Sequence, residues 1–130
     1  MKKVLALLLA LVMVFALAAC GQQSTPAQTS GGSLVGVSMP TKDLQRWNQD
    51  GENLKNMLEA KGYQVDLQFG ANDIATQVSQ IENMIANGAK VLVISAIDGD
   101  SLGTVLAQAK ENGVFVIAYD RLIMNSEAVS

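Results

Sequence analysis

Asp120 and Arg121 stand side by side at the end of an apolar run, VFVIAYDR, residues 114–121. An ionised carboxylate accepts hydrogen bonds and a guanidinium donates them in a planar fork, so the pair suits a ligand that offers both donors and acceptors. Asp98 and Asp100 are the other carboxylates whose spacing invites a chemical reading; they lie two residues apart in AIDGDS, 96–101. A glycoside-cleaving pair needs carboxyls ~5 Å or ~6.5–9.5 Å apart across a substrate, and nothing in this spacing makes the two face one another. A simpler role for them is turn geometry and negative charge ahead of a helix beginning at Ser101. Histidine is absent from the chain, which removes the commonest general base and the commonest metal ligand. Gly99-Asp100-Ser101-Leu102-Gly103 has the form G-x-S-x-G, but no histidine is present to serve its serine, and no G-x-G-x-x-G or P-loop sequence occurs. A Mg²⁺-dependent phosphoacceptor at Asp98 would need acidic partners after the first strand, where Ser38-Met39-Pro40 stands instead. The residues therefore point to binding, with no catalytic residue, metal or cofactor expected.

Such a pair works only where secondary structure places it at an open edge. LVGVSM (34–39) reads as a buried strand, and YQVDLQF (63–69) alternates as a strand near a sheet edge does. KVLVISAI (90–97) and VFVIAY (114–119) are nearly all apolar and read as strands too. Helices fill the gaps. Over 43–61 the stripe is Trp47, Gly51, Leu54 and Leu58, with Asp43 as N-cap and Gly62 as stop. A second helix runs from a cap at Asn72 or Asp73 to about Asn87, with Ile74, Val78, Ile81 and Ile85 facing in. Ser101 is expected to cap a third, with Leu102, Val105, Leu106 and Ala109 inward and Gly113 ending it. The order β-α-β-α-β-α-β predicts a doubly wound, three-layer α/β/α fold with a parallel sheet in the order 2-1-3-4. Ligands of such sheets sit outside the carboxyl ends of the strands, which is where the order puts Asp120 and Arg121.

The N-terminal part is of a different kind. Lys2 and Lys3 precede the apolar run VLALLLALVMVFALAAC, the pattern of an export signal. The run is a little short of the ~20 residues that span a bilayer. Its end, Leu17-Ala18-Ala19-Cys20, resembles the lipobox of bacterial lipoproteins, which implies cleavage before Cys20 and a lipid on its sulfur. An ordinary export signal with a chance cysteine is the alternative. The expected division is a signal peptide over 1–19, lipidated Cys20 and a flexible linker over 20–33, and a folded lobe over 34–130. GQQSTPAQTSGGS, 21–33, has almost nothing to bury. Cys20 is the only cysteine, so a monomer forms no disulfide. The formal charge of −3 becomes −5 once Lys2 and Lys3 are removed. No basic cluster remains, so nucleic acid is not an expected partner.

Three segments carry a resemblance more specific than the fold. VGVSMPTKDLQRWNQDGENL, DIATQVSQIENMIANGAKVLVISAIDG and VFVIAYDRLIMN, in this order and spacing, resemble the N-terminal lobe of periplasmic sugar-binding proteins of the ribose/xylose type. More narrowly, they are similar to the multiple-sugar-binding members that serve ABC importers. The resemblance implies a monosaccharide such as xylose, glucose or galactose as ligand, an ABC permease as partner, and no enzymatic step. It implies that Asp120 and Arg121 contact the sugar, together with Lys42, Arg46 and Trp47 after the first strand and Asp98 after the third. A sensory lipoprotein presenting ligand to a membrane receptor is the alternative role.

Each implied contact has a plainer rival. Asp120 and Arg121 can bond loop amides, and Trp47 shares its stripe with Leu54 and Leu58. Arg46 lies four residues before Asp50, an ion-pair spacing of little energetic worth at a surface. Lys42 can be a solvated charge. The family has two lobes enclosing the ligand, and 34–130 corresponds to part of the first. The expectation is a fragment or a truncated gene product, with weak binding by one lobe alone and an open edge at the fourth strand.

Overall fold

The computed structural model describes residues 31–124 and 126–129. The apolar leader, Cys20 and the linker up to residue 30 lie outside the described residues. Four strands, β1 (Leu34–Met39), β2 (Gln64–Phe69), β3 (Val91–Ile94) and β4 (Phe115–Ala118), form one sheet in the order β2-β1-β3-β4. All three pairings are parallel, with Val37 opposite both Leu67 and Val93, and Val93 opposite Ile117. Helices α1 (Gln45–Glu59), α2 (Ile74–Ala86) and α3 (Gly103–Glu111) supply the crossovers. This is the doubly wound order that the alternating pattern predicts.

Two separate apolar clusters show that helices cover both faces. On one face Val35, Val37 and Met39 of β1 pack with Trp47 and Val93, and Leu54, Leu58, Val65, Leu67 and Phe69 join them. On the other, Leu92 and Ile94 of β3 and Val116 of β4 pack against Ile81, Met84 and Ile85 of α2 and Val105, Leu106 and Ala109 of α3. Successive residues of a strand point to opposite faces, so a central strand apolar at every position feeds both clusters. Gly51 lets α1 lie close to the sheet. A Cβ there would come within 3.0 Å of Leu67 and 3.3 Å of Met39 and Phe69.

Three local expectations change. The N-cap of α1 is Leu44, whose side chain makes no capping bond. Asp43 is instead turned back on Thr41, whose hydroxyl donates to its carboxylate and accepts from its N–H, both at 3.1 Å. The third helix opens with a 3₁₀ turn, Asp100–Leu102, after Gly99. Ser101 therefore lies inside that turn and donates to Asp98 rather than capping. On α2 the buried positions are Gln77, Ile81, Met84 and Ile85, while Ile74 is exposed. Asp73 is the cap, accepting from the Thr76 N–H at 2.7 Å. At the outer edge of β4, Val129 makes an isolated parallel bridge to Val116. Phe115 and Ile117 of β4 remain exposed on the face away from Val116.

Candidate functional site

All four strands point their carboxyl ends to one edge, and the segments leaving them form its rim. The first is held by Pro40, whose carbonyl accepts from the Asn72 N–H at 2.8 Å. That contact ties the β1 exit to the β2 exit, where Ala71 and Asn72 both take positive φ, 53° and 56°. After β3 the chain bends at Asp98, whose carboxylate accepts from the Ser101 hydroxyl and, at 3.4 Å, from the Asp100 N–H. The turn at Gly99 packs against Leu122 and Ile123, so the exits of β3 and β4 touch.

Asp120 sits at the apex of a three-residue turn. The Arg121 N–H donates to the Tyr119 carbonyl at 2.6 Å, and Asp120 has φ of 63°. This left-handed conformation is uncommon outside glycine, and Asp tolerates it better than bulkier residues. Residues held so are over-represented at ligand clamps, where a backbone kink aims a side chain. The kink sends the two neighbouring side chains to different partners. The Asp120 carboxylate accepts from Nη2 of Arg46, which reaches across from the first turn of α1. Arg121 turns inward, and its Nη1 donates to the Ala96 carbonyl at 2.9 Å and to the Ile97 carbonyl at 3.4 Å.

Trp47 joins these groups from below. Its side chain is 3% exposed and belongs to the α1-side core. The Arg46 guanidinium carbon lies 4.6 Å from the ring centroid and that of Arg121 lies 5.5 Å away. Both distances are within cation–π range, so the indole supports two cations at the rim. Arg46 also pairs with Asp50 one turn on, Nε to Oδ2 at 3.4 Å. Hydrogen bonding to Asp120, and then the charges of Asp120 and Asp50, hold the Arg46 guanidinium above its ordinary pKa. Burial raises the Tyr119 hydroxyl, and hydrogen bonding to the Asp50 carboxylate adds to the rise.

Arg46, Trp47, Asp120 and Arg121 thus form one group. Lys42 stands elsewhere on the rim, its ammonium 5.0 Å from the Phe69 ring centroid at the β2 side. A shallow pocket of about 300 Å³ opens there, lined by Thr41, Lys42, Asp43, Gln68, Phe69 and Ala71 among others. Asp98 is committed to its turn. Among the described residues no group of three potential metal ligands occurs. Two residues beside this group are not singled out by the sequence. Tyr119, beside the Asp-Arg pair, reads as the end of a strand. Gln77 is a polar residue three after Ile74 and four before Ile81, a position on the inner stripe of α2 that could have marked it.

A profile of the periplasmic binding protein domain matches residues 35–130. A multiple sugar-binding periplasmic protein of Azospirillum brasilense is 53% identical over 111 residues, 85% of this chain and 30% of that protein. A multiple sugar-binding periplasmic receptor of Rhizobium radiobacter is 54% identical over 101 residues, 78% of this chain and 28% of that protein. The chain thus spans about a third of the length of the relatives it matches. Among solved structures, an ABC transporter solute-binding protein from Clostridium phytofermentans with bound β-D-glucose is 72% identical with a TM-score of 0.74. That match covers 75% of this chain and 30% of the other.

Proposed function

The chain belongs to the periplasmic binding protein domain family, and from that premise we propose that it is the sugar-binding lobe of an extracytoplasmic solute-binding protein serving an ABC importer. The observation that carries this reading is the grouping of Asp120, Arg121 and Arg46 over Trp47 at the carboxyl edge of a parallel sheet. A monosaccharide presents hydroxyls that both donate and accept. Asp120 accepts from two of them, and the guanidiniums of Arg121 and Arg46 donate to their oxygens. Trp47 holds the guanidiniums in place beneath the ligand. Lys42 and Asp98 lie on the same rim and contact the ligand less directly. Solved relatives with bound glucose, including one 41% identical, favour an aldohexose.

Nothing in this role calls for bond-making. The protein captures sugar and hands it to a permease. Cys20 carries the lipid that keeps it at the membrane, in keeping with Leu17-Ala18-Ala19-Cys20 and the linker behind it. The test is calorimetric titration of the protein, isolated as the cell makes it, with D-glucose, D-xylose and D-galactose. Binding of at least one is expected; no heat with any of them at millimolar concentration would refute the reading. Mass spectrometry of the mature N-terminal peptide reports the lipid on Cys20 directly.

A second role has one observation in its favour, the relative from Rhizobium radiobacter named as a receptor. In that role the loaded protein signals to a membrane partner. Deleting the gene separates the two: loss of labelled-sugar uptake marks an importer, and loss of a sugar-induced transcriptional response with uptake intact marks a sensor.

A further inference from the structure

Gln77 is fully buried in the second turn of α2, beneath the rim. Its side-chain amide uses every strong bonding group it has. Nε2 donates to the Ser38 hydroxyl at 3.0 Å and to the Ser95 carbonyl at 3.0 Å. Oε1 accepts from the Ile97 N–H at 2.9 Å. The amide therefore clasps β1 and the segment leaving β3 at the point where the β3 ladder has ended. Peptide groups that leave a ladder inside a protein need new partners, and a long side-chain amide supplies a donor and an acceptor together.

The clasp has a consequence at the rim. The Ile97 N–H belongs to the same planar peptide as the Ala96 carbonyl, the Ser95 carbonyl belongs to the peptide before it, and Ala96 is itself buried. The Ala96 carbonyl accepts from Arg121 at 2.9 Å. In a planar trans peptide the N–H and C=O point opposite ways, so holding the Ile97 N–H from one side fixes the direction of the Ala96 oxygen on the other, and with it the guanidinium that donates to that oxygen. We propose that Gln77 is a positioning residue for ligand binding: it sets the 95–97 segment so that the Ala96 carbonyl aims Arg121 across the Trp47 ring and into the mouth. This rests on the sugar-binding reading for its ligand, and on this chain's hydrogen bonds alone for its geometry.

Gln80, one turn along α2, is a matched control. Its Nε2 donates to the Phe69 carbonyl at 3.0 Å, at the β2 exit and away from Arg121. Three proteins, the wild type, Gln77→Met and Gln80→Met, are prepared as the cell makes the chain and labelled with ¹⁵N-arginine. The Arg121 Nε–Hε cross-peak is assigned by its loss in Arg121→Ala. In Gln77→Met the peak is expected to move toward the position of a free guanidinium; in Gln80→Met it is expected to stay. D-glucose binding is expected to weaken at least tenfold in Gln77→Met, and Gln77→Met should add no further loss in the Arg121→Ala background. Gln77→Asn, too short to reach both Ser95 and Ile97, gives the same readout should the methionine variant fail to fold. An unmoved cross-peak, or an equal affinity loss with and without Arg121, overturns the positioning role. A wild type that binds none of glucose, xylose and galactose, with the cross-peak responding as expected, overturns the sugar reading and upholds the clasp.

Discussion

Arg46 and Asp120, 74 residues apart in sequence, close on one another across the mouth of the sheet. The contact joins the first turn of α1 to the kink after β4, the two segments proposed to share the ligand. It also means that the two charges satisfy one another. A sugar must offer Asp120 hydroxyls at least as well aimed as the guanidinium, and must leave Arg46 a partner. Asp50, one turn behind, already holds the Nε side of that guanidinium.

Asp120→Asn tests this directly. The substitution keeps shape and one acceptor oxygen, and tolerates the same backbone kink. It loses the charge that strengthens each hydroxyl bond. Loss of charge-assisted bonding to a neutral ligand corresponds to roughly a tenfold to hundredfold fall in affinity. Calorimetry with the tightest-binding of glucose, xylose and galactose measures it; an Asn variant with unchanged affinity would place Asp120 outside the ligand shell.

Trp47 can be assigned by stability rather than binding. A ring that merely faces ligand is dispensable to the fold. One that is 3% exposed and packed with Val35, Val37, Met39 and Val93 is not. Trp47→Ala should lower unfolding free energy by about 3–5 kcal/mol, as removal of a buried aromatic does. Urea unfolding of the ligand-free protein measures this. A loss below about 1 kcal/mol would return Trp47 to the role of a surface platform.

The sheet is legible in the sequence because its apolar pattern is periodic. LVGVSM and VLVI are apolar at nearly every position because both faces are covered, and helix-length gaps between strands force a parallel order. The rim was less legible because it depends on contacts between distant residues. Spacing could offer Arg46 only Asp50, four residues on; its second partner, Asp120, lies across the fold. Trp47 lay on the helix stripe, so both core and ligand readings were open, and only packing distinguishes them. Helix starts differ from the expected caps where the capping side chains have other partners: Asp43 bonds Thr41, and Ser101 bonds Asp98. The apolar stripe of α2 starts at Ile74, whereas the face turned inward includes Gln77, which an apolar pattern passes over.

Gly36 predicts a packing cost at the centre of β1. A Cβ there would lie 2.6 Å from Sδ of Met84 and 2.7 Å from Cδ2 of Leu92, both fully buried. These are ends of flexible side chains, so they can shift, but only into a core already filled. Gly36→Ala should destabilise by about 1–3 kcal/mol, against the small gain alanine would bring to an open strand position. Chemical denaturation reads the sign. A stabilised variant would mean that α2 stands further from β1 than the contacts indicate.

Asp73 gives the acid dependence its sign. Its carboxylate accepts from Thr76 at the start of α2, and hydrogen bonding to the Thr76 side chain, then to its N–H, holds the acid below its ordinary pKa. A group whose folded pKa is depressed binds its proton more readily in the unfolded chain. Its contribution is therefore complete above the unfolded carboxylate pKa and disappears as pH falls through the lower, folded value. Asp73→Asn retains a capping oxygen but cannot titrate. The wild type should exceed this variant in stability by a constant margin near neutral pH, and the margin should close in the acid range. Glu127, lowered by its bond to Lys110, titrates in the same direction but is common to both proteins, so it cancels in the difference. Urea midpoints of the pair across a pH series measure the margin. A gap that persists unchanged below the carboxylate range would show that the cap's charge is not what stabilises the helix start.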